Sequence, residues 1–281
     1  MTPEISYIVC ATPRTGSSLL CAGLAMMGNC GTPYEHLDPS WYEKVIKLPL
    51  NVETFPEFLK KVLVTGATPN NVFGTKMHWL YFDRLMKLFR NMAPYRAMSV
   101  ADVMGQIFPN VRYIRVQRRD KVRQAISLEK AFQSGVWTMY RSQENLKKQT
   151  FKYNYFSLYA LHQQLIRQDA AWEGYFRRYS IRPLEIFYEE MVEAYEATLE
   201  RVFRFLEIDM PPGDVFPQPP LKWLSDEINE IWYKRYKRTP VLLGKCHTAW
   251  NLLQNNAPGF TKRLKEKLVF SSRRRFPCPP V

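Results

Sequence analysis

Two rhythms alternate along the chain. Short, mostly apolar runs stand at Ile5–Ala11, Val72–Met77, Val111–Val116 and Leu184–Phe187, each with the length of a strand. Between them, apolar residues return every three or four positions, the spacing of one helix face. Leu20, Leu24 and Met27 predict a helix over Ser17–Met27, and the same spacing predicts helices over Tyr81–Asn91, Lys121–Phe132, 155–179 and Tyr188–Leu206. Ser99, with Asp102 three residues on, has the form of an acidic capping box and opens a further helix to Ile107. Buried-type strands separated by helices predict a mostly parallel sheet flanked by helices on both faces, a three-layer α/β fold. The 281 residues suffice for one such domain over 1–240. Residues 241–281 read as a basic extension that ends in a disordered tail from Ser271, and the proline-rich stretch 210–220 as a surface connection.

Composition changes this picture little. Hydrophobic residues make up 46% and charged residues 23%, which excludes a mostly disordered chain. No apolar run approaches the roughly 20 residues of a membrane helix. The apolar segment after Arg14 faintly resembles a signal peptide, but Glu4 and a strand-like run precede it, so a cytoplasmic location is expected. Five cysteines without a CxxC pair read as reduced thiols, and four histidines without an HxxxH pair give no zinc pattern, so no metal is expected.

Charge changes it more. The net charge of +14 is concentrated: residues 112–148 carry ten basic and three acidic side chains, residues 221–281 thirteen and four. Two separate blocks point to anionic ligands rather than to solubility alone.

Three segments carry candidate chemistry. Ala11-Thr-Pro-Arg-Thr-Gly-Ser-Ser18 is a glycine-containing turn between a predicted strand and a predicted helix. Such a turn aims backbone N–H groups and a helix dipole at one point, a place suited to phosphate. It is not a Walker loop, because Ser17 stands where the lysine after the last glycine belongs, and Arg14 is its one cation. Arg118 and Arg119 end a strand, with Ser127 two turns into the next helix, and arginine forks there suit a second phosphate. Gly31-Thr-Pro-Tyr-Glu35 places a carboxylate in the loop after the first helix, from which it can return to the phosphate face.

Taken together these segments resemble the bacterial trehalose sulfotransferase family, with its nodulation-factor and lipopolysaccharide sulfotransferase relatives. The resemblance rests on Pro13-Arg-Thr-Gly-Ser-Ser18, Gly31-Thr-Pro-Tyr-Glu35, Gly74-Thr-Lys-Met-His-Trp79 and Arg118-Arg-Asp120 continuing to Gln124-Ala-Ile-Ser127. Gln168-Asp-Ala-Ala-Trp172 and Ile186-Phe-Tyr-Glu-Glu190 belong to the same pattern, and the whole covers about residues 5–236.

The resemblance implies a sulfotransferase fold related to P-loop nucleotide kinases. It implies transfer of a sulfuryl group from 3′-phosphoadenosine 5′-phosphosulfate (PAPS) to a hydroxyl of a carbohydrate or glycolipid. Pro13, Arg14, Thr15, Gly16, Ser17 and Ser18 would hold the 5′-phosphosulfate, and Arg118 with Ser127 the 3′-phosphate. Arg14 would neutralise the leaving phosphate, and Glu35 would be the catalytic base. Glu35, His36 and Lys76 would face the acceptor, and a homodimer is implied.

Several alternatives stay open. Arg119 stands where proline is more usual, so either arginine can be the phosphate ligand. His78 competes with Glu35 as base. Lys76 is either a ligand of the transferring sulfate or acceptor, or a solvated strand-end lysine. Tyr188 is a candidate adenine contact. Trp79, Trp137 and Trp172 are read as core before a sugar platform. The rival functions are a phosphotransferase using the same loop, and a basic nucleic-acid-binding module; nucleic acid is not the expected partner. Contact with a membrane is expected to be peripheral at most, through the C-terminal block.

Overall fold

A computed structural model describes residues 3–38, 53–138, 150–211, 221, 226–240 and 243. Its strands are β1 (Ile5–Ala11), β2 (Val72–His78), β3 (Val111–Gln117) and β4 (Leu184–Phe187). Among the described residues the helices are α1 (Ser17–Met26), α2 (Phe55–Gly66), α3 (Trp79–Arg90), α4 (Val100–Ile107), α5 (Lys121–Ser134), α6 (Tyr155–Arg178), α7 (Tyr188–Glu193), α8 (Tyr195–Leu206) and α9 (Glu227–Arg238). The chain forms two compact units, residues 1–119 with 165–222, and residues 120–164 with 223–281. None of the described helices is long and apolar enough to cross a membrane.

The first unit holds the sheet, ordered β2-β1-β3-β4 with every pair parallel. β1 is central and buried on both faces, as its mostly apolar run suggests. The period of two splits its side chains. Ile8 and Cys10 join a cluster with Phe73, Phe82, Phe89, Phe108 and Trp172. Tyr7 and Val9 point to the opposite face. There α1 meets α8 so closely that a Cβ on Gly23 would lie 2.0 Å from the Tyr195 hydroxyl.

The register aligns the strand ends, with Ala11 opposite His78 on one side and Val116 on the other. The chain leaves β1 for one edge of the sheet and returns past it to β3. The carboxyl ends of β1 and β3 therefore lie where the strand order reverses, the place at which open α/β sheets bind ligands.

The second unit packs α5, residues 155–164 of α6 and α9 around Val122, Ile126, Leu158, Trp232 and Tyr236. Asp120 caps α5 by accepting from the Arg123 amide at 2.9 Å, and Asp226 caps α9 through the Asn229 amide at 3.3 Å. Lys130 is buried, and its charge is met by Asp226 and Asn229, each at 2.7 Å.

Two expectations are refined. The single helix over Tyr188–Leu206 is two helices, broken at Ala194 (φ −136°, ψ 65°). Met191, Tyr195 and Leu199 keep helical spacing straight through the break, so the pattern cannot reveal it. α2 and α9 went unpredicted, although Phe55, Phe58 and Val62 carry the period and Pro56 stands in the first turn where it is tolerated. The extension over 241–281 lies outside the described residues apart from Leu243, and so does most of the proline-rich connection.

Candidate active site

β1 ends at Ala11, and the chain turns through residues 12–16 into α1. Arg14 (φ 70°) and Gly16 (φ 81°) both take left-handed backbone. Glycine is required at 16: a Cβ would come within 2.6 Å of Met191 and 2.7 Å of Tyr188. Gly16 caps α1 without a side chain, and its carbonyl accepts from the Leu19 and Leu20 amides at 2.9 and 3.2 Å. The first amides of a helix have no acceptor within it, so this turn presents N–H groups, the Ser17 and Ser18 hydroxyls and the positive end of α1 together.

Arginine completes the cradle. Burial, and then the charge of Arg118, pull the Arg14 guanidinium from 12.5 to about 10. Arg118 lies half-buried with its guanidinium 4.3 Å over the Tyr188 ring and one N–H toward the Arg14 carbonyl at 3.5 Å. Two like charges held together are relieved by an anion between them. Arg119 behaves differently: it is exposed, stacks on Phe187 at 4.1 Å, and pairs with Glu190. Neighbouring arginines are thus divided between the loop and the surface.

The carboxylate arrives from the loop after α1. Gly31 (φ 67°) lets that loop lie against β2, where a Cβ would stand 2.6 Å from the Gly74 nitrogen. The Tyr34 carbonyl accepts from the Lys76 amide at 2.9 Å and the Thr75 hydroxyl at 3.2 Å. Lys76 and His78 are two apart and share one face of β2, while Met77 turns into the core. Both meet the same oxygen of Glu35, Lys76 Nζ at 2.8 Å and His78 Nε2 at 3.2 Å from Oε1. Lys76 Nζ also donates to the Ser18 hydroxyl at 2.8 Å, and His78 Nδ1 lies 3.3 Å from the Ala11 carbonyl. The end of β2 therefore joins the carboxylate to the anion loop.

Burial alone would raise the Glu35 carboxyl; Lys76, and after it His78, outweigh burial and hold it far below the usual carboxylate range. Burial likewise pulls Lys76 down, but Glu35 more than compensates and its ammonium stays charged. Glu35 keeps a third of its side chain exposed, so solvent and small molecules reach it.

The sign of the pH effect follows. A depressed folded value stabilises the protein fully above the unfolded glutamate value of about 4.3, and that contribution fades as pH falls toward the folded value. Lys76→Met should therefore be less stable than wild type near neutrality, with the two denaturation midpoints converging below about pH 4. A gap independent of pH would mean that the ion pair is not what Lys76 contributes.

The structure brings Arg14, Ser17, Ser18, Glu35, Lys76 and Arg118 to one edge of the first unit. His36 is 3% exposed and its Nε2 donates to the Thr32 carbonyl at 2.7 Å, within its own loop. Ser127 lies on α5 in the second unit, partly buried. Trp172 and Trp79 stack edge to face in the core at 5.0 Å, and Trp137 packs on Phe132 at 5.2 Å. The period-two spacing of Lys76 and His78 on a strand is the sequence signal for their shared contact with Glu35.

Two curated relatives are trehalose 2-sulfotransferases. The one from Mycolicibacterium smegmatis is 25% identical over 262 residues, covering 83% of this chain and 94% of the relative. The one from Mycobacterium tuberculosis is 26% identical over 267 residues, covering 85% and 96%. Among solved structures, a sulfotransferase from Alicyclobacillus acidocaldarius aligns with a TM-score of 0.43 at 11% identity, over 84% of this chain and 92% of that one. The sequence model of the Stf0 sulphotransferases matches residues 6–239, a span that runs from β1 through the arginine loop, Glu35 and Arg118 to the end of α9. The loop, the carboxylate and the strands that hold them are thus parts of one sulfotransferase, and the chain belongs to the Stf0 sulphotransferase family.

Proposed function

We propose that the protein transfers a sulfuryl group from PAPS to a hydroxyl of a carbohydrate or glycolipid. The observation that carries this reading is Lys76, which bridges Ser18 of the anion loop and Glu35. One side chain thus spans the place for the donor's sulfate and the place for a base. The names of the two mycobacterial relatives, which specify trehalose, support a sugar as acceptor class.

Bond by bond, the acceptor oxygen attacks sulfur in line with the departing 5′-phosphate oxygen. The new O–S bond forms, the old S–O bond breaks, and the hydroxyl proton passes to Glu35. The products are a sulfate ester and adenosine 3′,5′-bisphosphate. Negative charge grows on the leaving phosphate, where Arg14, the loop amides and the α1 terminus stabilise it. Donors already aimed at such charge usually lower the barrier more than any other single effect.

Glu35 suits the base role better than His78. Both His78 nitrogens already face oxygens, Ala11 O and Glu35 Oε1. Paired with Lys76, Glu35 is a weak base. A bound sulfate draws the ammonium toward itself and returns basicity to the carboxylate when it is needed. Arg118, turned toward the loop, is the proposed 3′-phosphate ligand, with Tyr188 beside the adenine. His36 shapes the acceptor wall from behind Glu35. The homodimer, the cytoplasmic setting and the absence of a metal from the chemistry belong to the same proposal.

A phosphotransferase is the rival, and thermal shift separates the two. Adenosine 3′,5′-bisphosphate at about 100 times its dissociation constant should add about 2.7 kcal/mol to stability, and ATP with magnesium much less. Arg118→Ala should weaken the bisphosphate far more than adenosine 5′-phosphosulfate, which lacks the 3′-phosphate. Equal stabilisation by ATP–magnesium would favour the rival. Equal losses for both nucleotides would move the 3′-phosphate site away from Arg118.

A further inference from the structure

The segment Gln168-Asp-Ala-Ala-Trp172 has no part in the chemistry above. It lies on α6, in the portion belonging to the first unit, where Asp169 and Trp172 are three apart and share a face. The Trp172 indole N–H donates to the Ala11 carbonyl at 3.1 Å. The Thr12 hydroxyl donates to Asp169 Oδ1 at 3.1 Å, and the Thr15 hydroxyl to the Thr12 carbonyl at 3.1 Å. Thr12, Thr15 and Trp172 are all at most 1% exposed. α6 is itself fixed to the sheet, because buried Arg115 of β3 reaches the Asp169 carbonyl at 3.3 Å and Glu185 at 3.3 Å.

We propose that Asp169 and Trp172 are positioning residues that pin the Ala11–Thr12 junction and thereby aim the anion loop. The junction is where the strand ends and left-handed backbone begins. Arg14 holds φ 70° without being glycine, a conformation that persists only when its surroundings impose it. Ala11 O takes the Trp172 indole on one side and His78 on the other, so the residue that anchors the loop also contacts the partner of Glu35. Loop amides act on developing charge only if they already point at it, and displacements of about 1 Å are costly. The inference rests on the donor reading for its consequence in binding, and on the hydrogen bonds alone for the pinning.

The test uses the full chain with Thr12→Val, Thr12→Ser, Trp172→Phe and the double variant Thr12→Val/Trp172→Phe. Amide hydrogen exchange over residues 12–18 reads the pinning, and the dissociation constant for adenosine 3′,5′-bisphosphate reads its consequence. Thr12→Val and Trp172→Phe should each speed local exchange and weaken the bisphosphate by about three- to tenfold, the worth of one net hydrogen bond. Thr12→Ser should restore both, and the double variant should lose less than the product of the singles, since both pin one junction. Exchange unchanged over 12–18, or raised equally across the whole sheet, would overturn the proposal. Should wild type fail to bind the bisphosphate while the exchange pattern holds, the donor reading falls and the pinning stands.

Discussion

Glu35→Gln should lower turnover at saturating acceptor by about 10²–10⁴, the share a positioned base supplies, while adenosine 3′,5′-bisphosphate binds nearly as in wild type. The amide has the carboxylate's shape, so the loop against β2 stays in place. It loses the negative charge that pairs with Lys76 and that, in the proposed reaction, accepts the acceptor's proton. His78→Asn is the matched control. It removes a contact on Glu35 Oε1 and one on Ala11 O, and should cost about tenfold or less. A surface glutamate would instead change stability by less than about 0.5 kcal/mol with no kinetic effect. If the order were reversed, with both variants folded and both binding the bisphosphate, Glu35 would not be the base.

Arg14→Gly should separate activity from stability. Removing a donor aimed at developing charge costs about 10²–10³ in turnover. The same change removes a half-buried cation that faces Arg118, and it relieves a non-glycine residue of left-handed backbone, which costs on the order of 1–3 kcal/mol. Glycine's greater freedom in the unfolded chain offsets part of that gain. Denaturation should therefore find the variant as stable as wild type or up to about 1 kcal/mol more stable, with almost no activity. A loss of several kcal/mol would make Arg14 a structural residue and remove it from the leaving-group role.

The legible parts of the fold are those where one physical cause acts alone. β1 and β4 fall on their expected residues, β1 because a mostly apolar run of seven suits a central strand buried on both faces, and β4 because Leu184, Ile186 and Phe187 form a short apolar run bounded by Pro183. Ser99 caps α4 as its spacing to Asp102 requires, with hydrogen bonds of 3.2 and 2.7 Å. The break at Ala194 is illegible in sequence because Met191, Tyr195 and Leu199 keep helical spacing across it.

In the site, the loop over residues 12–18 could be read locally, since a turn between a strand and a helix is defined by neighbouring residues alone. Glu35 could be picked out as a loop carboxylate, but its role as base came only from the resemblance: its loop is tied to β2 by Tyr34, which lies 41 residues along the chain from Thr75. Arg118 and Arg119 are alike in sequence, and in the structure they stack on different rings, Tyr188 and Phe187. The bond from Thr12 to Asp169 spans 157 residues and leaves no trace in either segment alone.

The central claim is the transfer itself, and the most direct measurement follows the sulfur. Wild-type protein is incubated with sulfur-labelled PAPS and a panel of carbohydrates that includes trehalose, and label and nucleotide are quantified together. The account predicts label on a sugar hydroxyl, one equivalent of adenosine 3′,5′-bisphosphate released per sulfate transferred, and loss of both in Glu35→Gln. Label that stays on the nucleotide with every acceptor, while a phosphate-labelled ATP passes its phosphate to one of the same sugars, would contradict it.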